Sequence, residues 1–409
     1  MPLLTGRYLA LAGADPLGMY GTNAIGANPS NLLSPHNPDK MVLLPSIGLS
    51  IGNNTFSQAY IADTFVEGDT LTNDDKKDIL DRIDVNDLIL NGNVTIPGFG
   101  YSENQYSFNF ASLYIHSNIS LPTDLFRLPL NGWETDRVYS FDDIEAELMA
   151  YWAVSFSMAR SLPEIEYVEN FTAGVTFSYY IGVRYFELGQ HRGFWNVTAD
   201  SINTSGHFQL VSSNSGDGVG LDLGISGDIL DGSTTVGMTF GNIIGSVNWQ
   251  QVEINDIQFS RNRALDLDSL IRADYWKSFF HDQDTTFHLG SYTTTLPKYL
   301  LFAARHHGIL GEEMLDLSVS LRQGLNRAPG NSFIPRLAFG GELRPQSNYP
   351  LRAGISFGGL EGVEIAGGFG LNFGNYRIDI GGSWQRGIML GAKGFAFSLT
   401  NQLILPVDI

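Results

Sequence analysis

The sequence predicts an all-β fold, a transmembrane antiparallel β-barrel of about fourteen strands with an N-terminal plug segment. Three observations carry this expectation. The stretch Ala146–Phe186 alternates for longer than a soluble strand requires. In its second half Phe171, Ala173, Val175, Phe177, Tyr179, Ile181, Val183 and Tyr185 fall on one face, and Thr172, Gly174, Thr176, Ser178, Tyr180, Gly182 and Arg184 on the other, because successive strand side chains point to opposite sides. Globular strands average about 5–6 residues, whereas a tilted bilayer crossing needs about 9–11. Composition points the same way: charged residues are only 16%, aromatic residues reach 12%, and there are 46 glycines. Finally, no run approaches the roughly 18 apolar residues of a transmembrane helix.

The bulk numbers exclude several classes of function. Lys and Arg total 24 against 43 Asp and Glu, a formal charge of −19 over 409 residues. Such a balance disfavours nucleic acid, whose phosphates demand a basic surface. With 0 cysteines, no disulfide, thiol nucleophile or thiolate metal site exists. A secreted soluble β-protein is the competing reading of the same composition. The N-terminus lacks the apolar core of a signal peptide; since a barrel needs export, a leader is expected to have been removed before Met1.

In chain order, residues 1–41 are rich in Gly, Pro, Asn and Ser and read either as a packed plug or as an ordinary disordered terminus, the plug being the expectation carried forward; 42–409 are expected to form the barrel. Val42–Ile51 reads as a strand and Phe56–Ala62 as a second. Asn73–Leu90 has Ile79, Leu80 and Ile83 at helical spacing behind an acidic start, so a helical insertion is expected near 73–90. Gln105–Ile115 is a further strand, and Leu121–Asn131 and Arg137–Asp143 are connections to the hairpin of Ala146–Phe186. Pro163 marks the turn of that hairpin. Strands follow at Gly218–Ile225, Thr234–Phe240 and Ile244–Trp249, then a second helix or loop near 264–280. From Leu315 to Leu403 six alternating strands joined by short turns form a meander. The chain ends Leu405–Pro406–Val407–Asp408–Ile409 rather than on the aromatic residue usual for outer-membrane barrels, so the last strand is expected to stop near Leu405.

Several of these segments together carry a family resemblance. Gly18–Met19 followed by Asn28–Pro29 and Leu32, the Gly218–Gly224 pattern GxGxDxG, Gly245-x-x-x-Trp249, the Leu296–Pro297 step and the wording PRLAFGGELRP…PLRAGISFGG…GGFGLNF resemble the FadL-type outer-membrane proteins, PorV-like and other relatives included. That resemblance implies a bacterial outer-membrane location and a structural role in the plug for Asn28, Pro29 and Leu32. It implies passive uptake of a hydrophobic small molecule, of the fatty-acid or hydrocarbon class. The alternative within the superfamily is a barrel that anchors a secreted or surface protein partner. A lipid hydrolase is a more remote reading: His306 and His307 are adjacent, so they point to opposite faces and cannot chelate one ion together. No cofactor, no metal and no catalytic residue is expected; outer-membrane lipid is the expected surrounding.

If the apolar faces meet lipid, charges belong inside, since a charge facing the bilayer midplane costs about 2–4 kcal/mol. That assigns Arg184, Asp316, Arg322, Arg336, Glu342, Arg344, Arg352, Glu364, Arg377 and Asp379 to the lumen. There they either form a ladder of ion pairs that fixes strand register or line a polar gate. An apolar pocket beside the N-terminal segment would support hydrophobic uptake; a lumen filled by charges would weaken it.

Overall fold

A computed structural model describes residues 4–66, 70–83, 87–132, 134–142, 144–163, 165–198, 201–264, 283–309, 314–346 and 348–405. Its described residues form a closed antiparallel barrel of 14 strands. In order these are β1 (Lys40–Asn53), β2 (Leu88–Ile96, continued by Phe99–Glu103), β3 (Tyr106–Leu121), β4 (Glu145–Ser161), β5 (Glu169–Val197), β6 (Ser201–Ser213, continued by Ser215–Ile229) and β7 (Thr234–Ala264). There follow β8 (Gln283–Thr295, continued by Tyr299–His306), β9 (Leu315–Gly324), β10 (Arg336–Leu343), β11 (Leu351–Gly358), β12 (Gly362–Phe373), β13 (Tyr376–Gln385) and β14 (Gly394–Leu405). Each strand pairs with its neighbour in sequence, and β14 closes on β1 from Lys40↔Leu405 to Gly52↔Gly394. Closure leaves no sheet edge unpaired, the condition for strands to cross a bilayer.

The two rims differ as bacterial barrels require, with short turns on one side and longer loops on the other. Residues 104–105, 230–233 and 374–375 turn on one rim, while 54–87 and 122–144 connect on the other. We call these the turn side and the loop side. On the loop side β5 and β7 extend to 29 and 31 residues, and the short strand Arg137–Ser140 pairs with the far end of β5.

The outward face is apolar. Phe156, Phe177, Tyr179, Phe302, Leu337, Phe339, Phe357, Phe369 and Phe397 are all exposed, while their sequence neighbours Ser157, Thr176, Tyr180, Leu301, Ala338, Ser356 and Ser398 are buried. Among the described residues no helix is long and apolar enough to cross a membrane. A closed sheet with an apolar outer face has the pattern of a membrane-spanning barrel.

Two local expectations are corrected. Phe56–Ala62 is not a strand: α-helix Gln58–Ile61 lies there, after the short helix α1 (Gly6–Ala10), and is called α2. Ser57 caps it by accepting from Tyr60 N at 3.2 Å, and Phe56 stacks on Tyr60, four residues on, with centroids 5.3 Å apart. Leu121–Asn131 is more than a connection, since α4 occupies Thr123–Asn131. Between them α3 (Asn73–Ile83) supplies the expected helix, but β2 has begun by Leu88. Phe56, Ile79, Ile83 and Leu88 are buried together, with Tyr60, Phe126 and Leu130 against them, a small cap on the loop rim. The acids of α3 face solvent; Arg82 Nε donates to Asp78 at 2.7 Å and holds that carboxyl below its ordinary value. Beyond Ala264, the insertion expected at 264–280 lies outside the described residues.

Three irregularities sit side by side in β1, β2 and β3. The β1 register shifts between Leu44 and Ile47, β2 is interrupted at Pro97–Gly98, and β3 bulges between Asn109 and Ser112. A bulge adds one residue and exchanges the two faces of the strand beyond it. In β3 the buried positions therefore run Ser107, Asn109, then Ser112, Tyr114 and His116.

Candidate functional site: the occupied barrel interior

Residues 5–34 lie inside the barrel. They form α1 and three short 3₁₀ turns, Pro16–Gly18, Gly21–Ala24 and Pro29–Leu33. Thr5 caps α1 by accepting from Tyr8 N, and Asp15 and Asn28 cap two of the turns. Glycines in the wall make room for this chain. A Cβ on Gly224 would stand 1.9 Å from Asn28 Oδ1, and one on Gly354 would stand 2.3 Å from the Leu11 carbonyl carbon. The Asn28 amide donates to Ile225 O at 3.2 Å, and its oxygen accepts from Ser30 N at 3.1 Å. Ser30 and Ser226 hydroxyls meet at 2.7 Å. Pro29 lies against Gly174 of β5, and Leu32 is buried with Ala24 and Ala159. The three motif residues thus sit together, on the β4–β6 wall.

The opposite wall holds the segment by charge. Arg7 pairs with Asp15 at 2.7 Å and with Glu342 at 2.9 Å. Arg352 joins Glu342 and Asp379, each at 2.6 Å. Arg305 reaches Asp316 at 2.5 Å and the Tyr20 hydroxyl at 2.7 Å, and Arg344 bridges Asp316 and Glu342. Four arginines face four carboxylates, so the cluster is neutral as a whole. A second contact pairs Arg336 with Glu364, and Arg336 also donates to Ala12 O at 3.1 Å.

Of the ten charged residues expected in the lumen, Asp316, Glu342, Arg344, Arg352 and Asp379 meet in the cluster, and Arg336 and Glu364 in the second contact. Arg322 lies over the Tyr299 ring, 4.3 Å from its centroid. Arg377 lines the turn-side pocket. Arg184 departs from the expected placement: it is exposed and donates to Asn214. An extra residue, Val183, bulges β5 opposite Ala150 and Tyr151, which turns Arg184 outward and Tyr185 inward. Arg7, Asp15 and Arg305 complete the cluster without having been singled out in the sequence. Arg305 was detectable: Tyr299, Leu301 and Arg305 share a face opposite Phe302. No periodicity marks Arg7 or Asp15.

Two pockets lie at opposite ends of the lumen. The turn-side pocket, about 310 Å³, is bounded by Arg7, Tyr20 and Asn23 of the segment and by Arg305, Arg344 and Arg377 of the wall. The loop-side pocket, about 460 Å³, is lined by Asn91, His116, Asn118, Glu147, Tyr185, Glu187, Tyr292, Thr293 and Arg327, among others. Glu187 Oε2 accepts from Tyr185 at 2.5 Å and from Tyr292 at 3.1 Å. Below Tyr185 an aromatic layer fills the barrel: Trp249 stacks on Tyr185 with centroids 5.2 Å apart, and Tyr114, Tyr151 and Tyr180 pack in the same cluster. Among the described residues no group of three metal-ligating side chains converges.

Residues 37–380 match the model of a family of unknown function, DUF5723. The chain belongs to the DUF5723 family. The match begins after Asn28, Pro29 and Leu32. No curated protein matches the sequence. Among solved structures, a Pseudomonas aeruginosa FadL homologue is 13% identical, with 99% of each chain covered and a TM-score of 0.55. The P. putida toluene transporter TodX is 10% identical over 99% of each chain at a TM-score of 0.53. The CymD monoaromatic hydrocarbon channel is 11% identical over 98% of each chain, at 0.51. This DUF5723 barrel therefore has the FadL-type outer-membrane fold.

Proposed function

We propose that this chain is a gated outer-membrane channel whose N-terminal segment is the plug. Its proposed ligand is a small molecule with an apolar body and a neutral or cationic polar group, taken up from the loop side. The observation that carries this reading is the placement of residues 5–34 between a loop-side pocket and a turn-side pocket. The structural neighbours, a toluene transporter and a monoaromatic hydrocarbon channel, support uptake over catalysis or the anchoring of a partner protein.

The pocket lining narrows the ligand. Tyr292, half-buried at the pocket wall, offers a ring to an apolar body. The amides, threonines and carboxylates around them favour a ligand that can hydrogen-bond. A bare hydrocarbon would strip water from these groups and replace nothing, at roughly 1–3 kcal/mol for each group left unpaired. Glu147 and Glu187 outnumber Arg327 there, which disfavours a fatty-acid carboxylate. The proposed ligand keeps the hydrophobic body of the sequence expectation and adds to it a hydrogen-bonding group.

The test is uptake of 1-naphthol by cells expressing the Ser30→Cys/Ser226→Cys variant, whose two sulfurs replace hydroxyls 2.7 Å apart. Oxidation is expected to cross-link plug to wall and stop uptake, and reduction to restore it. Uptake unaffected by the cross-link would overturn the gate.

A further inference from the structure

The two sides of the N-terminal segment are held unequally. Toward β8–β13 it is clamped by the ion cluster, and toward β4–β6 by Asn28 and Ser30. Toward β2–β3, where the Gly21–Ala24 turn packs, buried polar atoms of the turn and of the two strands are left without hydrogen-bond partners: Thr22 Oγ1, Asn23 Oδ1, Ser102 Oγ, Ser107 Oγ, Asn109 Oδ1 and Ser112 Oγ. All of these residues are at most 6% exposed. One bond crosses there, Asn109 Nδ2 to Thr22 O at 3.3 Å.

An unpaired buried polar group costs about 1–3 kcal/mol, and native proteins keep only a few per hundred residues. A concentration of them along one contact is therefore costly if the contact stays dry, and the cost falls when a hydrogen-bonding molecule enters. The atoms are hydroxyls and amide oxygens, with no charge among them. They suit a neutral solute that donates and accepts hydrogen bonds; an ion would lose its hydration without gaining a counter-charge.

The seam also leads somewhere. The inward row of β3 continues past Tyr114 to His116 and Asn118, which face Asn93 and Asn91 of β2 and line the loop-side pocket. At its other end Asn23 borders the turn-side pocket. The seam is tight: a Cβ on Gly21 would stand 2.8 Å from Ser102 Oγ. Passage therefore requires two movements: the Gly21–Ala24 turn leans away from β2–β3 while its neighbours stay anchored, and Tyr114, stacked on Tyr151 with centroids 5.3 Å apart, swings out of the row.

We propose that this seam is a transit path for small neutral hydrogen-bonding solutes of polyol size, water included, past an anchored N-terminal segment. It is a conductance distinct from uptake of an amphipathic ligand and needs no release of the segment from β4–β6.

The test is osmotic swelling of phospholipid vesicles holding the full chain, with glycerol as the probe. Wild-type vesicles are expected to admit glycerol at least fivefold faster than protein-free ones. Ser107→Val/Ser112→Val should bring the rate near the protein-free level, with folding verified by an unchanged thermal melt. The oxidised Ser30→Cys/Ser226→Cys variant should keep the wild-type rate, since it pins the segment on the other wall. Should the valine pair misfold, Asn109→Leu takes its place and is expected to lower the rate in the same way. Glycerol entry no faster than in protein-free vesicles, entry unchanged by drying the seam, or entry abolished by the cross-link would each overturn the proposal.

Discussion

Glu342 is the side chain on which the charged contact converges, receiving Arg7, Arg344 and Arg352. It is 5% exposed. Removing one member of a buried ion cluster strands the others without a counter-charge, which costs about 3–5 kcal/mol. Glu342→Ala should therefore lower unfolding stability in lipid or detergent by about that amount, as read by denaturant titration; a loss below 1 kcal/mol would mean that water reaches the cluster. At this scale the sequence was informative where two patterns were halves of one contact. Asn28–Pro29 and the GxGxDxG strand meet at Gly224, which is glycine because Asn28 Oδ1 leaves no room for a Cβ. It was uninformative for Arg7 and Asp15, whose segment is irregular and whose partners lie more than 300 residues away in the case of Arg7 and Glu342.

Alternation made the strands legible, and bulges limited it. In β10, Leu337 and Phe339 are exposed while Ala338 is buried, as an unbroken period of two requires. In β5 the same pattern held to Gly182 and then failed, because Val183 is an additional residue that no apolar count reveals. Arg184 and Tyr185 exchange sides there, and the stack of Tyr185 on Trp249 depends on that exchange. The helices of the loop-side cap were partly hidden for a different reason: Phe56 and Tyr60 suit a strand by type, and only packing on Ile79 and Ile83 makes the turn helical. The outward face of β10 yields a prediction of its own. Leu337→Arg should destabilise the barrel by about 2–4 kcal/mol, whereas Leu337→Val should stay within about 1.5 kcal/mol of wild type, both measured by reversible unfolding into detergent-free denaturant. Equal tolerance of both would place Leu337 in water.

For the molecule as a whole, strand length and alternation made the closed barrel legible, because the bilayer leaves few alternatives for a low-charge chain without long apolar helices, while its outer-membrane address came from the family resemblance alone. What fills the lumen was much less legible. The polar faces announced an interior of charges, with ion pairing as one of two readings, but not that Arg7 and Asp15 of the N-terminal segment would enter the pairing. The pockets left over are polar rather than greasy. Lumen chemistry arises from strands distant in sequence, and a one-residue shift in any of them changes it.

The most direct measurement is a cysteine scan with spin labels along Val175–Ile181 and Leu337–Phe339 in reconstituted vesicles, which the absence of native cysteine leaves free of background labelling. Labels at Val175, Phe177, Tyr179, Leu337 and Phe339 are expected to collide with lipid-dissolved oxygen, and labels at Thr176, Ser178 and Ala338 to be shielded from it. Apolar positions shielded from both oxygen and water-soluble reagents would mean that those faces pack on protein, as in a soluble sandwich, and would contradict a barrel with lipid outside and its own N-terminal chain within.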